Sequence, residues 1–168
     1  MSKDKPYKID MKSIMEQMAA DRKKRATSAE LNKAALITAV KSFRITRIEA
    51  EFSGGGDSGQ IDEVRYFAGK QRISDVDSIK KTIVVEASIR DSTTYCDTKK
   101  EWVTTTRSPN LEELVEQICY DLLEANHGGW EINEGSYGEF VFNFGKGNKI
   151  DLTFNQRVES VETTEETY

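Results

Sequence analysis

The sequence predicts an α+β protein with a mainly antiparallel sheet covered on one face by two helices, a flexible N-terminal arm and an acidic C-terminal tail. Three observations carry this expectation. Stretches with alternating apolar residues come in pairs around turn-forming segments, as in hairpins. One long segment has a helical apolar period instead. The 168 residues are 37% hydrophobic and 32% charged, enough for one domain with a proper core and a wet surface. The expected layout is a basic arm over 1–26, partly helical or disordered, a single domain over 27–158, and an acidic tail over 159–168.

In the arm, MKSIMEQMAADRKKR can form a short helix with Ile14, Met15 and Met18 on one side. A firm helix is predicted from Thr27, because Thr27 and Glu30 have capping-box spacing. Leu31, Ala34, Ala35, Val40 and Phe43 continue a loose stripe to about Lys41. The period then changes to two. Ile48, Ala50 and Phe52 alternate with Arg47, Glu49 and Glu51, which reads as a half-buried strand.

After a glycine-rich turn, QIDEVRYF returns as a second strand. Ile61 and Val64 are out of phase, so a bulge is expected between them. KKTIVVEASIR reads as a strand with Ile83, Val85, Ala87 and Ile89 on one face. TYCDTKKEWVTTTR reads as a Thr-rich edge strand able to accept a partner.

Asn110 and Glu113 form a second capping box. Leu111, Leu114, Val115, Ile118, Cys119, Leu122 and Leu123 then fall on one helical face, and Gly128 and Gly129 stop the helix. The last unit is a hairpin. Phe140, Phe142 and Phe144 answer Ile150, Leu152 and Phe154 across the turn GKGN, at the expected centre of the buried side of the sheet.

Composition narrows the function classes. No apolar run is long enough to span a membrane, and MSKDKPYKID lacks the apolar core of a signal peptide. A cytoplasmic protein is expected. Two cysteines and one histidine form no standard zinc pattern, and Cys119 is expected to be a small buried hydrophobe. The net charge of −5 is unevenly spread. Residues 1–35 hold nine Lys/Arg against five Asp/Glu, and the tail 159–168 holds four Glu and no base. The run Arg22-Lys23-Lys24-Arg25 has no interleaved aromatics or glycines, so direct nucleic-acid binding is not expected.

Two stretches hold candidate site residues. The first is FSGGGDSGQID. A serine nucleophile at Ser58 is not expected, because the only histidine, His127, follows it in the chain, whereas the trypsin order places histidine first. Gly54, Gly56 and Gly59 have the spacing of a dinucleotide fingerprint, but a strand follows where a helix is needed. A long hairpin loop, with glycines at positive φ, is the preferred reading. The second stretch, LEANHGGWEINEGSYGE, places His127 at a helix end, where the dipole favours a cation. Burial of Trp130 and Tyr137 against the sheet is preferred over exposure as interface anchors. Glu131, Glu134 and Glu139 lack EF-hand spacing, so no metal is expected.

Together these stretches resemble an uncharacterised domain family of small bacterial, phage and plasmid proteins. The resemblance rests on Gly56, Asp57, Ser58, Gly59 and Gln60 in one loop. It continues through His127, Gly129, Trp130, Glu131, Asn133, Gly135, Tyr137 and Gly138, and covers about residues 29–158. It implies no activity. It does imply the company of mobile elements, whose small acidic proteins often occupy a host protein.

The expectation is therefore a non-enzymatic binding protein that occupies a host protein and inhibits a defence system. The binding residues would be Gly56, Asp57, Ser58, Gln60, His127, Trp130, Glu131, Asn133 and Tyr137. No catalytic residue, metal or cofactor is expected. The alternative is a small nucleotide- or phosphate-ligand-binding protein or hydrolase using the glycine loop and His127.

Overall fold

The computed structural model describes residues 11–98, 100–145 and 147–168. In chain order the elements are α1 (Met11–Ser42), β1 (Arg47–Gly55), β2 (Ser58–Ala68), β3 (Gln71–Arg72) and α2 (Asp77–Lys80). Then come β4 (Ile89–Cys96), β5 (Glu101–Arg107), α3 (Leu111–Asn126), β6 (Ser136–Asn143) and β7 (Lys149–Gln156). The main sheet has the order β3-β2-β1-β6-β7 with antiparallel neighbours throughout. The expected α+β class with a mainly antiparallel sheet is what the chain adopts. Among the described residues no helix is long and apolar enough to cross a membrane.

The first helix is longer than expected. Thr27 does not cap a new helix; its hydroxyl donates to the Lys23 carbonyl one turn back, as Thr38 does to Ala34. Residues 11–26 hold strong helix formers and no Gly or Pro, so nothing in them stops propagation. The helix ends where Arg44 turns to a φ of 55° and the Ile45 N–H reaches back to the Val40 carbonyl. The first ten residues of the expected arm lie outside the described residues.

β1 is the central strand. It alternates without fault: Ile48, Ala50, Phe52 and Gly54 are buried, while Arg47, Glu49, Glu51 and Ser53 are half-buried on the other face. The expected bulge is present. Glu51 faces Glu63 and Phe52 faces Ile61, so Asp62 is the extra residue in β2. The Phe-rich hairpin pairs as expected, Phe140 with Leu152 and Phe142 with Ile150. It lies toward one edge, however, and β1 rather than β6 holds the centre.

α3 carries the largest share of the helical core. Its capping box is formed in both directions, the Asn110 side chain to the Glu113 N–H and the Glu113 carboxylate to the Asn110 N–H. Leu111, Leu114, Val115, Ile118, Cys119 and Leu123 are buried against Leu36 and Val40 of α1 and the apolar face of the sheet. Each such side chain contributes about 1.5–3 kcal/mol through burial. The other face of the sheet is polar. There Arg65 gathers the carboxylates of Glu49, Glu51, Glu63 and Glu139.

Two expected strands need correction. KKTIVVEASIR is not a strand of the sheet. Lys80 ends the single turn α2, residues 81–88 run as an irregular crossing with one bridge, Ile83 to Asn110, and Ile89 and Arg90 open β4. Val84 and Ala87 are buried, whereas Ile83 and Val85 are exposed, which breaks the expected alternation. A side chain replaces the neighbouring strand: Asn32, buried on α1, donates to the Ser88 carbonyl and accepts from the Ser88 N–H. The Thr-rich segment is not an edge of the main sheet either. β4 and β5 form a hairpin of their own.

Asn32→Leu should remove both side-chain partners of the Ser88 backbone, which is itself exposed, at a cost of about 0.5–1.5 kcal/mol per bond. Chemical denaturation read by circular dichroism checks this; an unchanged midpoint would show that the Asn32 clamp is dispensable.

Candidate functional site

The two glycine motifs meet at one end of the sheet. β1 and β2 are joined by a two-residue turn, Gly56 and Asp57, with φ of 61° and 69°. Positive φ at both positions is what the tightest hairpin connection requires. The loop is therefore short rather than long, and Gly54, Gly55, Ser58 and Gly59 belong to the strands. Gly54 and Gly59 face each other and serve a different need: room. A methyl at Gly59 would lie 2.2 Å from Trp130 Cη2, and one at Gly54 2.8 Å from Trp130 Cζ3. The indole rests on this bare pair, edge-on to Phe52 at 5.7 Å and tilted toward Tyr120. Trp130 is buried, as expected.

The backbone completes the junction. The Gly56 N–H donates to the Asn133 carbonyl (2.8 Å) and the Asp57 N–H to the Glu131 carbonyl (3.2 Å). Gly135, at φ 68°, passes so close to Gly54 that a methyl would meet its carbonyl oxygen at 2.0 Å. The buried Ser136 hydroxyl donates to the Trp130 carbonyl. Arg157 ties the whole together. Its guanidinium donates to the carbonyls of Gly54, Glu134 and Ser136, and its N–H to Gly135. It also lies 5.1 Å from the Tyr137 ring centroid. Arg157 went unnoticed in the sequence because a lone arginine after a strand carries no local pattern.

Gly56, Asp57, Trp130, Glu131 and Asn133 are thus brought together, through main chain and packing. Ser58 and Gln60 occupy exposed strand positions at the edge of this junction, with Gln60 bonded to Asp62. Tyr137 is 47% exposed beside Arg157, contrary to its preferred burial. His127 does not join the glycine turn. It caps α3 through its N–H to Leu123, and its ring stacks on Phe154 at 3.8 Å and 10°. The cleft beside the turn is lined by Ser53, Gly55, Ser58, Gln60 and Arg157, whereas His127 opens on other clefts.

This arrangement offers little chemistry. The turn amides that would cradle a phosphate already donate to carbonyls. Among the described residues no group of three His, Cys, Asp or Glu side chains could hold a metal ion. Cys119 is fully buried, and burial, with Glu116 nearby, pushes its thiol far above the ordinary range, so it remains a hydrophobe.

Two other features are surfaces. A groove of about 920 Å³ opens between α1 and the β6–β7 hairpin, floored by Phe140, Phe142, Phe144, Ile150, Leu152 and Phe154. The β4–β5 hairpin stands apart from the sheet as an arm. Hydroxyl pairs Ser92–Thr105 and Thr93–Thr104 rung its strands. Tyr95 and Trp102 meet edge-to-face at 5.4 Å, with Trp102 70% exposed. The base of the arm is fastened by Arg107, whose guanidinium donates twice to Glu113 (2.7 and 2.8 Å) and faces Asp91. The Arg107 hydrogen bond holds the Glu113 carboxyl below its usual value.

Gly59→Ala should cost about 1–3 kcal/mol through overpacking against Trp130, whereas Gly145→Ala, with open space around it, should cost far less. Thermal unfolding of the pair checks this; equal losses would show that the indole can shift. A second expectation concerns acid. Because Glu113 has a depressed pKa in the folded chain, its stabilisation is present above the unfolded value of about 4.3 and lost as pH falls through the folded value. Glu113→Gln keeps an acceptor for the cap but removes the charge, so its melting temperature should fall less steeply with acid than that of the parent. Parallel slopes would contradict the role given to Arg107.

No match to the chain is found among curated proteins or among solved structures. A family model, described as a family of unknown function (DUF6878), matches residues 28–168. The matched span takes in the acidic tail, which the resemblance read from the motifs left outside. With both glycine motifs, the arm and Arg157 inside that span, the chain belongs to this family of unknown function.

Proposed function

We propose that the protein is a non-enzymatic binding module that engages another protein, with the β4–β5 arm as its leading contact. The observation that carries this reading is the Tyr95–Trp102 pair, edge-to-face on an arm with Trp102 70% exposed. Exposed tryptophan and tyrosine anchor protein interfaces more than other residues do. A two-stranded hairpin is marginal alone in water, so a partner laid on the arm would stabilise both sides.

The partner is a protein of the host cell, and a defence system in the host cytosol is the first place to seek it, in keeping with the resemblance to proteins of phages and plasmids. Mimicry of nucleic acid is a poorer account, because four carboxylates on the polar sheet face are tied to Arg65. The nucleotide or phosphate reading gains nothing from the geometry: the glycine-turn amides are spent on Asn133 and Glu131, and His127 lies on another cleft.

Affinity purification from the host with the parent and with Tyr95→Ala/Trp102→Ala tests the proposal. The expected result is a stoichiometric protein retained by the parent and lost, by at least about tenfold in affinity, from the double variant. A partner held equally by both would remove the arm as the contact, and a purified protein carrying a small molecule and no protein would remove the reading.

A further inference from the structure

α1 runs well past the body it packs on. At about 1.5 Å per residue its 32 residues span about 48 Å, and residues 11–26 account for about 24 Å of that. Asn32 is the first buried residue of the helix among those whose burial is described. Before it, Met11, Met15 and Met18 are 63%, 66% and 52% exposed. These three are not scattered. Met18 lies about five turns from Leu36 and Met15 about seven from Val40, so they share the phase of the stripe that faces the core farther along, with the exposed Arg25 on the same face between Met18 and Leu36. The helix therefore carries a second apolar patch, Met11 to Met18, at core-facing phase beyond its own sheet.

The sheet, in turn, lacks a helix. α1 and α3 bury Phe140 and Phe142 of β6 but leave Phe144, Ile150, Leu152 and Phe154 only half-buried on the apolar face, and the groove of about 920 Å³ lies over them. One wall is the flank of α1 bearing Glu30, Lys33, Ala34 and Ile37; the floor is phenylalanine and leucine. β7, eight residues long, spans about 26 Å, matching the overhanging half-helix. The complementary charge lies in the tail rather than in the groove wall, where Glu30 is paired with Lys33 and Lys149 also lines the groove. Residues 11–26 hold five Lys/Arg against two Asp/Glu, and the tail leaving β7 holds four Glu and no base.

We infer that two copies of the chain associate by seating the Met11–Ala26 half of each α1 in the apolar groove of the other. The two α1 helices then lie side by side and antiparallel, each covering its own sheet with its C-terminal half and its partner's with its N-terminal half. The methionines fill the groove floor, their flexibility suiting an irregular apolar surface. The basic run comes to the acidic tail of the other copy. Trp102 and Tyr95 take no part, so this inference and the arm's role stand or fall separately.

Sedimentation velocity of the full chain at rising concentration tests it. A monomer–dimer equilibrium is expected. Met15→Lys/Met18→Lys should weaken it at least about tenfold, a change of about 1.4 kcal/mol. Ala34→Arg, at an exposed position in the groove wall, should do the same. All three positions are exposed in the single chain, and far-UV circular dichroism verifies that each variant keeps its fold. Mixing the two variants should restore part of the dimer, because one intact half-helix then meets one intact groove. A monomer at every concentration overturns the inference. So does a dimer that survives the methionine substitutions, one indifferent to Ala34→Arg, or a mixture no better than either variant alone.

Discussion

The close approach of Trp130 to the Gly54–Gly59 pair is the constraint on which the rest of the structure depends. An indole can sit flat on a sheet only where neighbouring strands offer no β-carbon, and here two opposed glycines provide that floor. The seat fixes where the chain goes after α3. With Trp130 held, Glu131 and Asn133 present their carbonyls to the hairpin turn, Gly135 slips under Gly54, and β6 enters the sheet beside β1 in register. Arg157 then locks the arrangement from the far end of the sequence. The two motifs are two halves of one joint, which explains why so many polar and glycine residues cluster there without forming a reactive pocket.

Much of this was legible in the sequence, and the reasons differ by element. α3 was legible because its period, its cap and its glycine stop agree, and local signals that agree with the tertiary fold leave little room for error. β1 and the Phe-rich hairpin were legible because a half-buried strand writes its two faces alternately. The Asp62 bulge was legible as a slip in that alternation. The α1 boundary was misread because Thr27 and Glu30 have the right spacing for a cap, but a threonine hydroxyl satisfies a helix carbonyl equally well when the preceding turn is already helical.

The 80–90 stretch was misread for a physical reason. Its β-branched residues favour extended backbone, yet extended backbone becomes a strand only if a neighbour supplies hydrogen bonds. Here the partners are scattered: Asn32, far away on a helix, holds Ser88, the Val84 N–H reaches the Pro109 carbonyl, and only Ile89 and Arg90 find a strand, in β5. The candidate site was half legible. Which residues matter could be read from composition, whereas the direction each faces could not. That Gly54 and Gly59 are there for space and Gly56 for its backbone angle depends on Trp130, more than seventy positions on. His127 belongs with Phe154, and nothing near it in the chain marks that stacking.

The strand order also bears on how the chain is made. β1 finds its first neighbour, β2, immediately, but its other neighbour, β6, begins only at Ser136. As the chain leaves the ribosome, the edge that later becomes the middle of the sheet must wait, its backbone unpaired, through the whole arm and α3. That interval is when the chain is most open to mispairing, and it closes once Ser136–Asn143 emerges and pairs with β1.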